Sequence, residues 1–118
     1  RFCAPWGIDF KKKTILYLIS HPELSAHKIG INNFDSGRIE KHLKNGWIIY
    51  KTKLFEQGLQ AYEVEQSVLD WLRNECDLQM FLLPKQMPQA GHTETVDASE
   101  IELVTIWAKV EELSKVKR

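Results

Sequence analysis

The chain has 118 residues, and its 16 lysines and arginines balance 16 aspartates and glutamates, so the formal net charge is zero. This length predicts one domain with a hydrophobic core of its own. The neutral balance argues against a stand-alone, non-specific nucleic-acid binder, which is usually basic. No apolar run reaches the ~20 residues that a membrane-spanning helix requires, so no membrane partner is expected.

The cysteine content bears on cellular location. Two cysteines, Cys3 and Cys76, are too few for a disulfide framework and favour a cytoplasmic, reducing compartment. The first residues also lack the apolar segment of a signal peptide. Because the sequence starts abruptly at Arg1, additional domains are expected in the full-length chain, and Cys3 is either a free thiol or the last ligand of an upstream zinc site. The sequence predicts no particular oligomeric state.

The first part of the chain predicts two strands after a lead-in segment. Residues 1–13 are that segment, which belongs either to this domain or to the end of an upstream module. Apolar residues alternate over residues 14–20, as in a half-buried strand, and a second short strand, His27–Ile31, follows a turn that contains Pro22. Gly30 in the second strand would let another backbone or a ligand come close.

A first helix follows these strands. Asp35 or Ser36 is its expected N-cap, and Gly46 is its expected stop. Ile39 and Leu43, four residues apart, are the predicted inward-facing side chains.

The rest of the chain alternates between strand and helix. Aromatic and β-branched residues predict a third strand over residues 47–55, and the strongest helical pattern covers residues 59–73. Two prolines interrupt residues 78–90, which are expected to form a loop. A short strand, His92–Val96, and a last helix that begins at a Ser99–Glu102 capping box complete the chain.

These elements predict an α/β (α+β) fold in which a small, three-stranded antiparallel sheet is flanked by helices. Residues 14–75 form the expected core, and residues 76–118 form a C-terminal strand–helix extension packed on it. Positive charge is denser in the first half of the chain, which favours a basic face there.

Several positions in the first two thirds of the chain resemble the GIY-YIG nuclease superfamily. The two strand motifs of that family correspond to Ile15–Tyr17 and Lys28–Gly30, and its helix arginine, eight residues after the second glycine, corresponds to Arg38. Its metal-binding glutamate follows an alanine by four residues, as Glu65 follows Ala61. The chain is a divergent member by this comparison: the first motif lacks its glycine, and lysine replaces the tyrosine of the second, as in one branch of the superfamily.

The resemblance implies an endonuclease that cleaves phosphodiester bonds in DNA with Mg²⁺ or Mn²⁺. Arg38 would clamp a phosphate bidentately, and Tyr17 would act as general base or hold the attacking water. Lys28 would stabilise developing charge, and His42, one helical turn after Arg38, would move a proton or touch a phosphate. Glu65 would be the metal ligand, since one carboxylate with several waters suits Mg²⁺.

Most of these residues also have an ordinary structural interpretation. Glu63 competes with Glu65 as the ligand, because the two point about 200° apart around a helix. Tyr17 can simply pack its ring, and Lys28 and His42 can be exposed side chains. The expected contacts with nucleic acid are Lys13, Gly30, Lys51 and Lys53. The alternating lysines of the third strand fit either a face that follows a DNA backbone or a solvated face.

Three functions are therefore open. The joint presence of Tyr17, Arg38 and Glu65 favours the nuclease. Lys28 in place of tyrosine keeps open a non-catalytic DNA-binding or protein-interaction module with the same fold. The third possibility is an α/β interaction domain unrelated to the family.

Overall fold

The computed structural model describes residues 8–116, so Cys3 and most of the lead-in segment lie outside the described residues. The strands and helices in chain order are β1 (Thr14–His21), β2 (Ala26–Asn33), α1 (Arg38–Lys44), β3 (Ile48–Phe55), α2 (Gly58–Asp70), β4 (Thr95–Asp97) and α3 (Leu103–Val116). A π-helical turn, Trp71–Glu75, extends α2, and 3-10 turns cover Pro84–Gln86 and His92–Glu94. Within the described part of the chain, no helix has the length and hydrophobicity needed to cross a membrane.

The four strands form one antiparallel sheet in the order β3-β1-β2-β4. The predicted mixed α/β class is confirmed. The sheet has four strands rather than three, because β4 pairs with the outer edge of β2 over Ala26–Lys28. In the β1–β2 pair, Tyr17 opposes Gly30 and Ile19 opposes Lys28. Directly opposed residues share a face of the sheet, so these four lie on the same face.

Each face of the sheet buries its own hydrophobic cluster. On the face we call the α2 face, Leu16 and Leu18 pack against α2 and α3. The buried helix residues of this cluster are Ala61, Val64, Val68, Leu72, Ile106, Trp107 and Val110. On the opposite face, called the α1 face, Tyr17 and Ile19 join a smaller cluster whose other buried members include Trp47, Leu82 and Met87. Alternate residues of β1 therefore supply both cores.

The side chain of Tyr17 lies so close to the backbone at position 30 that only glycine fits there. A Cβ at this position would lie 2.5 Å from Tyr17 Oη and 2.6 Å from Tyr17 Cζ, far inside van der Waals contact. The sequence predicted that another backbone or a ligand would come close to Gly30, but the ring of Tyr17 occupies this space instead. The absence of a Cβ at Gly30 lets the phenol lie against β2.

Helix α1 turns a polar residue inward. Its N-cap is Gly37, with φ of 75°, rather than the predicted Asp35 or Ser36. Its buried residue is His42, whereas Leu43 is 40% exposed, so the predicted inward stripe is wrong at Leu43. The reason is that this side of α1 lines a pocket containing polar groups.

The predicted capping box before α3 is also wrong. The backbone N–H and the hydroxyl of Ser99 both donate to Asp97 Oδ1, at 2.9 and 2.8 Å, and so close a turn instead of a helix. The carbonyl of Glu102 accepts from the N–H groups of Thr105 and Ile106, so the helical hydrogen bonding begins there. Ser99 bonds to Asp97 instead of capping the helix, because the Asp97 carboxylate lies only two residues away in sequence.

Candidate functional site

A pocket of ≈ 190 Å³ lies on the α1 face of the sheet. Its walls come from β1, β2, α1 and the loop that leads into β4. The lining residues are Tyr17, Lys28, Arg38, Lys41, His42, Gln89, Ala90, Gly91 and Glu94. Four of the five predicted catalytic residues therefore meet in one place. Residues 89–94 belong to the C-terminal part of the chain, so the pocket is not contained in residues 14–75.

Tyr17 and His42 form a buried hydrogen-bonded pair on the wall of this pocket. Tyr17 Oη lies 3.1 Å from His42 Nε2, and Gln89 Nε2 lies 3.1 Å from the other ring nitrogen, Nδ1. Burial raises the pKa of Tyr17, although the charges of Lys28 and Arg38 oppose the rise. Burial and the same two cations lower the pKa of His42 to about 3. Both rings are therefore neutral near neutral pH.

Lys28 is a buried cation with its own counter-ion. Its side chain is 3% exposed, and Nζ lies 3.0 Å from Glu94 Oε1 and donates to the carbonyl of Ile29 at 3.2 Å. Burial by itself lowers the pKa of Lys28, but the interactions with Tyr17 in its ionised form and with Glu94 outweigh burial, so the pKa is raised. Gly91 makes room for this side chain, because a Cβ there would lie 2.7 Å from Lys28 Cε and the residue has φ of 103°.

The pocket carries an excess of positive charge. Lys28, Arg38 and Lys41 contribute three positive charges, and Glu94 contributes one negative charge, which leaves a net charge of +2 while His42 is neutral. Among the described lining residues, Lys28 is paired with Glu94, and the other two cations are Arg38, which is half-buried, and Lys41, which is exposed. This distribution suits an anion that approaches from solvent.

Glu65 lies apart from the pocket lining. It is 6% exposed on α2, the helix that covers the opposite face of the sheet. Its carboxylate nevertheless interacts electrostatically with pocket residues. Burial raises the pKa of Glu65 to about 7; Glu94 adds to this rise, and Lys28 and Arg38 oppose it. Glu63, the competing candidate, is exposed, so Glu65 is the glutamate of this pair that faces inward.

The structure does not bring the predicted strand lysines to the pocket. Lys51 and Lys53 oppose two buried leucines of β1 and therefore lie on the α2 face. Lys53 Nζ also lies 3.3 Å from Glu111 Oε1 of α3. Lys13 is exposed immediately before β1. Gly30 is filled by the Tyr17 ring, as described above.

Glu65 and Glu94 are the two carboxylates that could serve a metal at this site. Within residues 8–116, no group of three or more His, Cys, Asp or Glu side chains is arranged around a common point. Burial raises the pKa of Glu65 by more than Lys28 and Arg38 lower it, so its charged form is incompletely compensated. Its hard oxygen atoms fit Mg²⁺, which retains several waters and needs only one or two carboxylates. Glu94 is already held by Lys28.

Five residues that line the pocket were not predicted from the sequence: Lys41, Gln89, Ala90, Gly91 and Glu94. One signal pointed to Glu94. A lysine inside an apolar strand needs a carboxylate partner, and Glu94 is the single acid in the predicted strand His92–Val96. Gln89 gives no such signal, because an uncharged amide in a proline-punctuated loop has many ordinary uses.

Comparison of this chain with protein-family models, curated proteins and solved structures finds no match. The resemblance to GIY-YIG nucleases therefore stays a prediction.

Proposed function

We propose that this domain is a metal-dependent endonuclease that hydrolyses phosphodiester bonds in DNA. The observation that carries the proposal is the convergence of Tyr17, Lys28, Arg38 and His42 on one pocket with net positive charge. Their order and spacing carry the resemblance to GIY-YIG nucleases, which implies that they act on a phosphate group. Their convergence from three separate elements supports the proposal.

The volume of the pocket limits which part of DNA enters it. The pocket measures ≈ 190 Å³, and a protein cavity of about 150 Å³ holds one benzene molecule. This is room for one phosphate group and an attacking water, but not for a base pair. The proposed binding mode therefore has a DNA strand lying across the opening with one phosphate inside.

Arg38 and Lys41 are the proposed phosphate ligands. Both come from α1, three residues apart, so they share one side of the helix. The planar guanidinium of Arg38 can donate two parallel hydrogen bonds to a pair of phosphate oxygens. Lys41 is exposed at the rim and attracts the strand as a point charge.

Tyr17 is the proposed group that handles the attacking water. Its phenol is neutral at neutral pH because burial raises its pKa. To act as general base it must lose its proton, and the positive charges of Lys28 and Arg38 act in that direction. Lys28 also faces any negative charge that develops on the phosphate as the bond breaks.

Glu65 is the proposed ligand for Mg²⁺ or Mn²⁺. When bound, the ion supplies Lewis-acid polarisation of a phosphate oxygen. Because the pKa of Glu65 is about 7, about half of its carboxyl groups carry a proton near neutral pH, and metal binding has to displace it. Affinity for the metal should therefore increase as the pH rises through this range.

A second candidate function is a non-catalytic module that binds a phosphate group of DNA or of a protein partner. The observation that favours it is the position of Glu65, which does not line the pocket. Arg38 and Lys41 would then bind the anion, and no turnover would follow.

The deciding experiment is cleavage of supercoiled plasmid with and without Mg²⁺, using wild type, Glu65→Gln and Glu63→Gln. The nuclease proposal predicts Mg²⁺-dependent nicking that Glu65→Gln abolishes and Glu63→Gln preserves, because the exposed glutamate is the matched control. Thermal melts check that each variant is folded. Binding of DNA without cleavage by wild type would favour the second candidate, and equal activity of Glu65→Gln would exclude Glu65 as the metal ligand.

A further inference from the structure

We propose that Gln89 is a positioning residue that fixes the tautomer of His42 with its proton on Nε2, so that His42 donates to Tyr17 Oη. The tautomer itself is a property of the free domain. Only its consequence for catalysis rests on the proposed function.

The geometry at His42 leaves its two nitrogens with different roles. The side-chain nitrogen of Gln89 can only donate, and it lies 3.1 Å from Nδ1, so Nδ1 has to accept. A neutral imidazole carries one N–H, which then sits on Nε2. Nε2 is 3.1 Å from Tyr17 Oη. The hydroxyl oxygen of Tyr17 is therefore the acceptor in this pair.

The surroundings of Gln89 favour this orientation of its amide. Gln89 Oε1 is buried without a hydrogen-bond partner in the described part of the chain. With the amide turned the other way, Oε1 would face Nδ1, and the NH2 group, with two donors to satisfy, would take the buried position that Oε1 now holds. Buried N–H groups without a partner are rarer in proteins than under-satisfied carbonyl oxygens. The observed orientation therefore leaves the less costly group unpaired.

This arrangement changes the part that His42 can play. Because Nε2 already carries a proton, His42 cannot accept the proton of Tyr17 there. It instead donates a hydrogen bond that stabilises a phenolate, and the Tyr17 proton has to leave toward the pocket. The shuttle role predicted for His42 is thereby replaced by charge stabilisation, and Gln89 is what enforces the replacement.

The test is the ¹⁵N spectrum of the imidazole rings, in which protonated and bare nitrogens have different chemical shifts. The His42 signals are identified by their loss in His42→Gln. Wild type should show a bare Nδ1 and a protonated Nε2. Gln89→Glu replaces the donor with a group that only accepts, so the two shifts should exchange. Gln60→Glu, the same change at an exposed site on α2, should leave them as in wild type.

A wild-type spectrum with the proton on Nδ1 would overturn the proposal, as would identical His42 shifts in wild type and folded Gln89→Glu. The spectra need no substrate, so they are decided separately from the nuclease. If the domain cleaves DNA, Gln89→Glu should slow cleavage by about 100-fold, the effect of losing one preorganised donor. Gln60→Glu should cleave at the wild-type rate. An inactive wild type with the expected spectrum would refute the proposed function and leave the tautomer assignment standing.

Discussion

Neutralising Glu94 is the most direct perturbation of how the pocket is held together. Glu94→Gln keeps the shape of the side chain and an acceptor for Lys28, but removes the carboxylate 3.0 Å from an ammonium that is 3% exposed. With an effective dielectric constant of ~20, the attraction at 3.0 Å is about 5.5 kcal/mol. The amide retains a hydrogen bond that contributes about 1 kcal/mol. The expected loss of stability is about 3–5 kcal/mol, as when one partner of a buried pair is removed.

Thermal unfolding measures this loss. For 118 residues, the unfolding entropy is about 0.25 kcal/mol/K, so Glu94→Gln should lower Tm by about 12–20 °C. The matched control is Glu112→Gln, which breaks an ion pair with Lys109 of the same 3.0 Å length. Glu112 is 61% exposed, so this variant should lose no more than about 0.5 kcal/mol.

The pH dependence gives a second, independent readout. In wild type, the folded-state pKa of Lys28 is raised above its ordinary value of 10.5, so its contribution is fully present below that pH. Glu94→Gln removes one of the interactions that raise the pKa of Lys28, so this pKa falls relative to wild type. The folded variant then releases the Lys28 proton at a lower pH than folded wild type does, and the stability gap between them shrinks as the pH rises. Equal melting of Glu94→Gln and Glu112→Gln, or a stability gap that does not shrink as the pH rises from about 7 toward about 10.5, would refute this reasoning.

Three further outcomes are expected. Gly30→Ala should cost about 1–3 kcal/mol in unfolding free energy and disturb the Tyr17–His42 hydrogen bond, because its Cβ would displace the Tyr17 ring; an unchanged Tm would contradict the fit described above. The folded-state pKa of Glu65 is raised from 4.5 to about 7, so the stability of wild type should fall as the pH rises through this range. Glu65→Gln should remove this pH dependence and be about 3 kcal/mol more stable than wild type near pH 8 without metal. Mg²⁺ should raise the Tm of wild type but not that of Glu65→Gln. Arg38→Ala should lose about 2–4 kcal/mol of transition-state stabilisation, and Arg38→Lys should not recover the lost cleavage. Both variants should melt like wild type. Full activity of Arg38→Lys would mean that a positive charge suffices without the planar guanidinium.

The backbone plan of the domain could be predicted because its signals are local. Alternation in β1 and helical periodicity in α2 both reflect burial against a sheet, and both elements lie within a few residues of their predicted ranges. The spacing from Gly30 to Arg38 also placed the arginine at the pocket. Each of these inferences needed only residues that are close in sequence.

What failed depended on tertiary surroundings. The side of α1 that turns inward faces a polar pocket, so apolar spacing selected Leu43 where His42 is buried. Capping propensity selected Ser99, whose hydroxyl bonds instead to Asp97. Gln89 could not be found, since its role exists only through a histidine 47 residues away. Local patterns carry no information about such partners.

The walls of the pocket come from distant parts of the chain, and this has a consequence for its dynamics. The contacts Lys28–Glu94 and His42–Gln89 close loops of 66 and 47 residues. Residues 84–94 belong to no strand and are held by these side-chain hydrogen bonds, by two single-turn helices and by Met87, which is buried in the cluster on the α1 face. They can therefore open locally while β1, β2 and α2 stay folded. An anion bound in the pocket should therefore slow amide hydrogen exchange in this segment first. Protection of the backbone along residues 84–94 would then report that the pocket is occupied, although most of the charged and titratable residues of the pocket lie on β1, β2 and α1.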